Sequence, residues 1–237
     1  MRFAVALTLE NEFIPKDKNR LILSFMKKAF KEYDQDYFNE LYSRPKRKDF
    51  TFSLYLGDCM FLDKRILIPE KRIILNFSSY NFQDGVMFYN AMLKQRFNPY
   101  KIANNSITAT NINMVREKPV NSNIFKILSP ILVREHNNNN KKTRYHSLKT
   151  DKGMEVFRKN LEYQLIDSLG EKVAYDFKDI KIKPYTKDVH IIHYSTPLLG
   201  NIGYIKIKAP DYILNYLVKA GVGAKKSSGF GMLEEVR

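Results

Sequence analysis

The chain is 237 residues long with 44% hydrophobic and 13% aromatic residues, enough for a sizeable buried core and too apolar for a disordered chain. Forty Lys and Arg against 25 Asp and Glu leave a formal charge of +15, which points to a polyanionic partner, either nucleic acid or an anionic membrane. No apolar run approaches the roughly 20 residues a membrane helix needs, the apolar start is too short for a signal peptide, and the single cysteine, Cys59, excludes an internal disulfide and suits a reducing cytoplasm.

Phe3, Val5, Leu7 and Leu9 alternate with Arg2, Ala4, Ala6 and Thr8, which predicts a half-buried strand. Asp17 is a candidate N-cap, and from there Ile22, Phe25, Met26, Ala29, Phe30 and Tyr33 recur at helical spacing. A second helical piece spans about 35–42, and the basic run "SRPKRKDF" ends it. "FTFSLYLG" and "RIILNFS" alternate as strands, with a hairpin between them that turns at Asp63-Lys64. Val86, Tyr89, Leu93 and Phe97 mark the next helix.

The second half repeats the theme. "FKILSPILVR" predicts a strand broken at Pro130, and the segment "EHNNNNKKTR" reads as a loop too polar to pack. Asp151 opens a helix with Met154, Phe157, Leu161 and Leu165 inward; strands are expected near 173–183, 189–196 and 203–210, then a helix from Pro210 to Ala220 and a last strand in "FGMLEEV". The order β-α-β-(hairpin)-β-α-β occurs twice, so the expected fold class is α+β, two tandem ferredoxin-like (RRM-like) domains at 1–118 and 124–237, joined through "REKPVNSN".

Between the last helix and the last strand stands "AGVGAKKSSGFGML", in which Gly221, Gly223, Gly229 and Gly231 bracket Lys225, Lys226, Ser227 and Ser228. Gly221 fits a helix C-cap. Two G-x-G pairs around two lysines suit a loop whose backbone N–H groups turn outward to a phosphate chain. The order is not that of a P-loop, because a strand and not a helix follows.

The spacing G-φ-G-x5-G-φ-G at 221–231 resembles the C-terminal signature of the CRISPR-associated repeat-RNA endoribonucleases (the sixth Cas protein, of the RAMP superfamily). "DFTFSLYLG" resembles the FTFS-type strand of that family, and "LSPILVR" the strand opening its second half. The resemblance implies a protein that binds CRISPR repeat RNA, precursor and mature crRNA, and cuts the precursor once in each repeat without a metal or other cofactor. The 2′-OH attacks the adjacent phosphate, leaving a 2′,3′-cyclic phosphate and a 5′-hydroxyl. Such chemistry asks for a base, a cation over the developing phosphorane and an acid for the leaving oxygen. It also implies a cytoplasmic protein, monomeric or homodimeric, that serves a CRISPR effector complex.

The family's usual histidine belongs just before the FTFS-type strand, yet no histidine precedes His136; Tyr42 stands at the matching place. A phenol with a pKa near 10 is a poor neutral-pH base unless cations lower it, and Arg44, Lys46, Arg47 and Lys48 follow closely. Three arrangements stay open. Tyr42 with Lys46 or Lys48 positions the 2′-OH and stabilises the phosphorane; a histidine, His146 or His136, comes from the other half; or cleavage is lost and the chain only holds RNA. Arg44 and Arg47, with the glycine segment, are the candidate RNA contacts. His190 and His193 lie three apart on a strand, face opposite sides and read as packing residues. No Cys/His cluster suits zinc, and no RNP-type strand supports an unrelated two-RRM binder. Lys181, Lys183, Lys206 and Lys208 alternate in their strands and line one sheet face, either as an RNA contact or equally as the ordinary solvent side of an amphipathic sheet.

Overall fold

A computed structural model describes residues 1–43, 47–102, 104–137 and 141–236. In chain order the elements are β1 (Arg2–Leu9), β2 (Phe13–Pro15), α1 (Lys18–Tyr33), α2 (Gln35–Ser43), β3 (Phe50–Tyr55), β4 (Met60–Phe61), β5 (Arg65–Leu67), β6 (Arg72–Ser79), α3 (Phe82–Lys94), β7 (Tyr100–Ile102) and β8 (Asn105–Met114). There follow β9 (Ile124–Ile127), β10 (Val133–Asn137), β11 (Lys142–His146), α4 (Asp151–Leu169), α5 (Val173–Phe177), β12 (Lys181–His193), β13 (Thr196–Lys208), α6 (Asp211–Ala220) and β14 (Leu233–Glu235).

The first sheet has the order β3-β6-β1-β8-β7 and the second β12-β13-β9-β14. If the β-α-β-β-α-β strands of each half are numbered one to four, both sheets run 2-3-1-4, the ferredoxin-like arrangement. α1 and α3 cover one face of the first sheet. Asp17 caps α1 by accepting the Arg20 N–H at 3.3 Å, and Asn81 caps α3 by accepting the Asp84 N–H at 3.1 Å. The seam is aromatic: Phe30 stacks on Phe88 at 4.5 Å, and Phe77 lies 4.8 Å from Phe3 and 5.5 Å from Phe50. Each such pair adds ~1 kcal/mol beyond the burial of its rings. In the second half, Phe125, Ile205, Ile207 and Leu233 face Phe157, Leu161, Leu165, Ile213 and Leu217 of α4 and α6.

Three expectations need correction. Residues 173–177 form the short helix α5 rather than the start of a strand. The strands expected at 189–196 and 203–210 are parts of two 13-residue strands paired along their full length from Lys181↔Lys208 to His193↔Thr196. Pro184 does not break β12 because β12 is the edge strand, whose outward N–H positions need no partner. Thirdly, the polar segment after Pro130 is built into the β10–β11 hairpin on both sides, from Val133↔His146 to Asn137↔Lys142; its tip at 138–140 lies outside the described residues.

The halves meet along β3, β6 and α1 on one side and α4, α6 and the glycine segment on the other. Thr51 Oγ1 donates to Phe230 O at 2.8 Å, Ser78 Oγ to Lys219 O at 2.9 Å and Arg2 to Leu233 O at 2.6 Å. These ties place the start of β3 beside the glycine segment.

Candidate functional site

α2 is amphipathic and lays Phe38, Leu41 and Tyr42 against the first core. Its last turn holds Tyr42, 4.8 Å from the Phe38 ring. Two ammonium groups approach the Tyr42 ring, Lys27 of α1 at 4.6 Å and Lys48 at 4.9 Å from its centroid. The hydroxyl is buried and has no hydrogen-bond partner among the described residues. Burial, with a smaller contribution from the Asp84 carboxylate, pushes the phenol well above its ordinary range. This reverses the expectation that neighbouring cations lower it. An ammonium near a ring centroid interacts with the π quadrupole and not with the oxygen, while desolvation penalises phenolate. Tyr42 is therefore held neutral, a hydrogen-bond donor. Lys48 moves the other way: burial and then the Lys27 charge lower its ammonium, against Asp84. Asp84 is itself buried and accepts the Tyr37 hydroxyl at 2.7 Å.

The residues after Lys48 lead into the contact with the second half. Arg47 donates to Tyr163 O of α4 at 2.8 Å and sits 3.5 Å from Asp167. Asp49 Oδ1 takes the Tyr216 hydroxyl at 2.9 Å and faces the Lys226 ammonium at 3.3 Å. Lys226 is 5% exposed, and burial draws its pKa down to about 8 against the opposing pull of Asp49. Gln164 joins this network to the glycine segment, donating to Tyr216 Oη at 3.2 Å and to Gly221 O at 2.8 Å.

The glycine segment turns inward. The N–H groups of Gly221, Val222, Ala224, Ser228, Gly229 and Gly231 all bond to protein carbonyls, not outward as the sequence suggested. Gly231 has φ of +71°, and a Cβ there would stand 1.8 Å from Val222 O; a Cβ on Gly229, at φ of +85°, would meet the Phe52 ring at 2.5 Å. Two strands of loop and the FTFS strand approach too closely for any side chain, and this close packing accounts for the glycines. Asn19 of α1 seals the contact by donating to Gly229 O at 2.9 Å. Lys225 stays exposed, and Ser227 and Ser228 are half-exposed.

The expected site residues thus divide. Tyr42 and Lys48 come together, with Lys27, which sequence reading missed although it belongs to the lysine-bearing face of α1. Arg47 and Lys226 go to the contact between halves, and Asp49 and Tyr216 were missed there. Arg44 and Lys46 lie outside the described residues. His146 lies on β11, its Nε2 2.8 Å from Glu135 Oε2, with Lys152 on the other Glu135 oxygen at 3.5 Å. His136 bonds to Thr143 at 2.9 Å on the same hairpin. His193 is buried against Phe230, ring centroids 5.3 Å apart, while His190 is exposed.

The family model described as "CRISPR associated protein Cas6, C-terminal" matches residues 115–235, half of the chain. The chain belongs to the Cas6 family. The fold agrees: a solved structure described as an RAMP protein binding different RNA substrates aligns over all of both chains at 24% identity with a TM-score of 0.85. A Cas6-related protein from Pyrococcus furiosus aligns over 100% of this chain and 98% of its own at 22% identity and a TM-score of 0.87. A Cas6 product complex covers 98% and 99% of the two chains at 17% identity and 0.72. No curated protein matches by sequence.

Proposed function

We propose that this Cas6-family chain binds CRISPR repeat RNA and cleaves the precursor transcript within each repeat, by 2′-OH attack without a metal, leaving a 2′,3′-cyclic phosphate and a 5′-hydroxyl. The observation that carries the reading is the Lys27–Tyr42–Lys48 cluster at the place where the family's histidine is expected. A phosphorane gathers negative charge, and two ammonium groups beside a neutral, unpartnered hydroxyl donor are the groups that stabilise it. Once RNA binding uncovers its buried hydroxyl, Tyr42 donates to a non-bridging phosphate oxygen. Lys48, its ammonium made more acidic by burial and by Lys27, is the group to protonate the leaving 5′-oxygen. With no strong base, the 2′-OH proton passes to water or to a non-bridging phosphate oxygen and attack is slow, which a single-turnover enzyme that keeps its product tolerates. Lys225, Ser227 and Ser228 are the parts of the glycine segment left to meet the RNA backbone, in the cytoplasm and alongside an effector complex.

A second reading has its own support. The phenol that replaces histidine is pushed up and not down, so the chain is alternatively an RNA-holding subunit without cleavage. Incubation of the purified chain with end-labelled repeat RNA in excess EDTA separates the two. A single cut ending in a cyclic phosphate supports the nuclease; tight binding with no cut supports the holding subunit.

A further inference from the structure

The face of the second sheet turned away from α4 and α6 carries a pattern that solvation alone does not explain. Tyr185 on β12 and Tyr204 on β13 occupy directly paired positions and are 53% and 45% exposed. The same register continues from Tyr204 to Lys126 on β9 and from Lys126 to Glu234 on β14, so one row crosses all four strands. Beside it Lys183 pairs with Lys206, and beyond them Lys181 pairs with Lys208, all four exposed.

Like charges directly opposite each other on neighbouring strands destabilise a sheet, and here two such pairs stand in succession. A solvated face has no need of them. The Lys183 ammonium lies 5.4 Å from the centroid of the Tyr185 ring, which places cation and aromatic together. At its inner end the row enters a cleft of about 390 Å³ between the halves, lined by Lys126 and Glu234 together with Arg2, Tyr55 and Asn76 of the first sheet.

We propose that this strip is a base-stacking platform for single-stranded RNA leaving the cleft. Tyr185 and Tyr204 take the faces of two bases, and Lys181, Lys183, Lys206 and Lys208 take the flanking phosphates. Unpaired positive charge selects a polyanion, and the paired ring faces select one that carries bases. The proposal rests on the RNA-binding reading but concerns a sheet face separate from the Tyr42 cluster.

The test measures binding of a fluorescein-labelled single-stranded 12-mer RNA and of the full repeat at several salt concentrations. It compares the parent with Y185A/Y204A, Y185F/Y204F and K183Q/K206Q, each checked to melt no lower than the parent. The alanine pair is expected to weaken binding roughly 10–100-fold with the salt slope unchanged, because stacking and not charge is lost. The phenylalanine pair keeps parental affinity. The glutamine pair is expected to lower the slope of log Kd against log salt by about 1.4, two phosphate contacts to a single strand. Single-turnover cleavage at saturating repeat stays at the parental rate in all three. Parental affinity in Y185A/Y204A overturns the platform while leaving the nuclease reading standing. So does an abasic 12-mer that binds the parent as tightly as the base-bearing one, which makes the strip a charge patch only. A parent that binds neither RNA overturns both.

Discussion

Tyr42 shows how one side chain's neighbours reverse an argument from its sequence neighbours. Four cationic residues follow within six positions, yet Lys48 of these and Lys27 of α1, far before it in sequence, approach the ring, and the hydroxyl is desolvated. Single-turnover cleavage of repeat RNA is therefore expected to fall about 10²–10³-fold in Lys48→Ala, where a charge stabilising the transition state is lost, and about tenfold in Tyr42→Phe, where one hydrogen bond goes and the ring packing stays. Parental rates in both place the chemistry elsewhere. His193 gives a pH signature. Burial, and next the Lys225 charge, lower its pKa below the usual 6.5, against Asp17 at 3.6 Å; Arg20 also faces it and lowers it further. The unfolded chain then binds a proton that the folded chain refuses, so stability is complete above pH 6.5 and declines as pH falls toward the folded pKa. Thermal melting between pH 7 and pH 5 is expected to drop less steeply in His193→Phe than in the parent.

The glycine segment belongs to a larger pattern. Gly221 at the end of α6 was readable as a C-cap, and its N–H does bond to Leu217 O at 2.9 Å. Gly223 and Gly229 answer to contacts distant in sequence, Leu132 and Phe52, and Gly231 to Val222 across the loop. No local rule shows whether a glycine-rich loop opens toward a ligand or closes on its own fold, because both demand positive φ. Gly231→Ala combines a strained backbone with a Cβ pressed against Val222 O and is expected to cost about 3 kcal/mol; urea melting that moves by less than a third of that contradicts the packing role. The β12–β13 hairpin makes the complementary point. Alternation marked its residues as strand, but its length depended on β12 lying at an edge.

For the whole molecule, the question is what holds two similar halves as one surface. Direct bonds run from Arg2 to Leu233, Thr51 to Phe230 and Asn19 to Gly229, and the Lys226–Asp49–Tyr216 network is buried at their centre. Breaking a buried ion pair from one side leaves a stranded charge. Asp49→Ala is expected to destabilise the fold by about 3–5 kcal/mol. Adding Lys226→Met to that variant is expected to restore most of the loss in denaturant melts. Simple additivity of the two substitutions argues against the coupling. Asp49 directly follows Lys48, so the junction between halves also fixes one end of the proposed cleavage site.

Local chemistry, written in periods of 2 and 3.6, decided the strands, the helices and the doubled α+β order, since each depends on residues a few positions apart. The +15 charge and the G-φ-G-x5-G-φ-G spacing, read the same way, pointed to RNA and to the Cas6 family. Which lysines are free and which are buried was decided only by tertiary structure. Lys225 and Lys226 are adjacent in sequence, yet one is exposed and the other is 5% exposed beside Asp49, 177 positions away. The cost of desolvating a charge depends on what packs against it, and that is set by how the two halves close together.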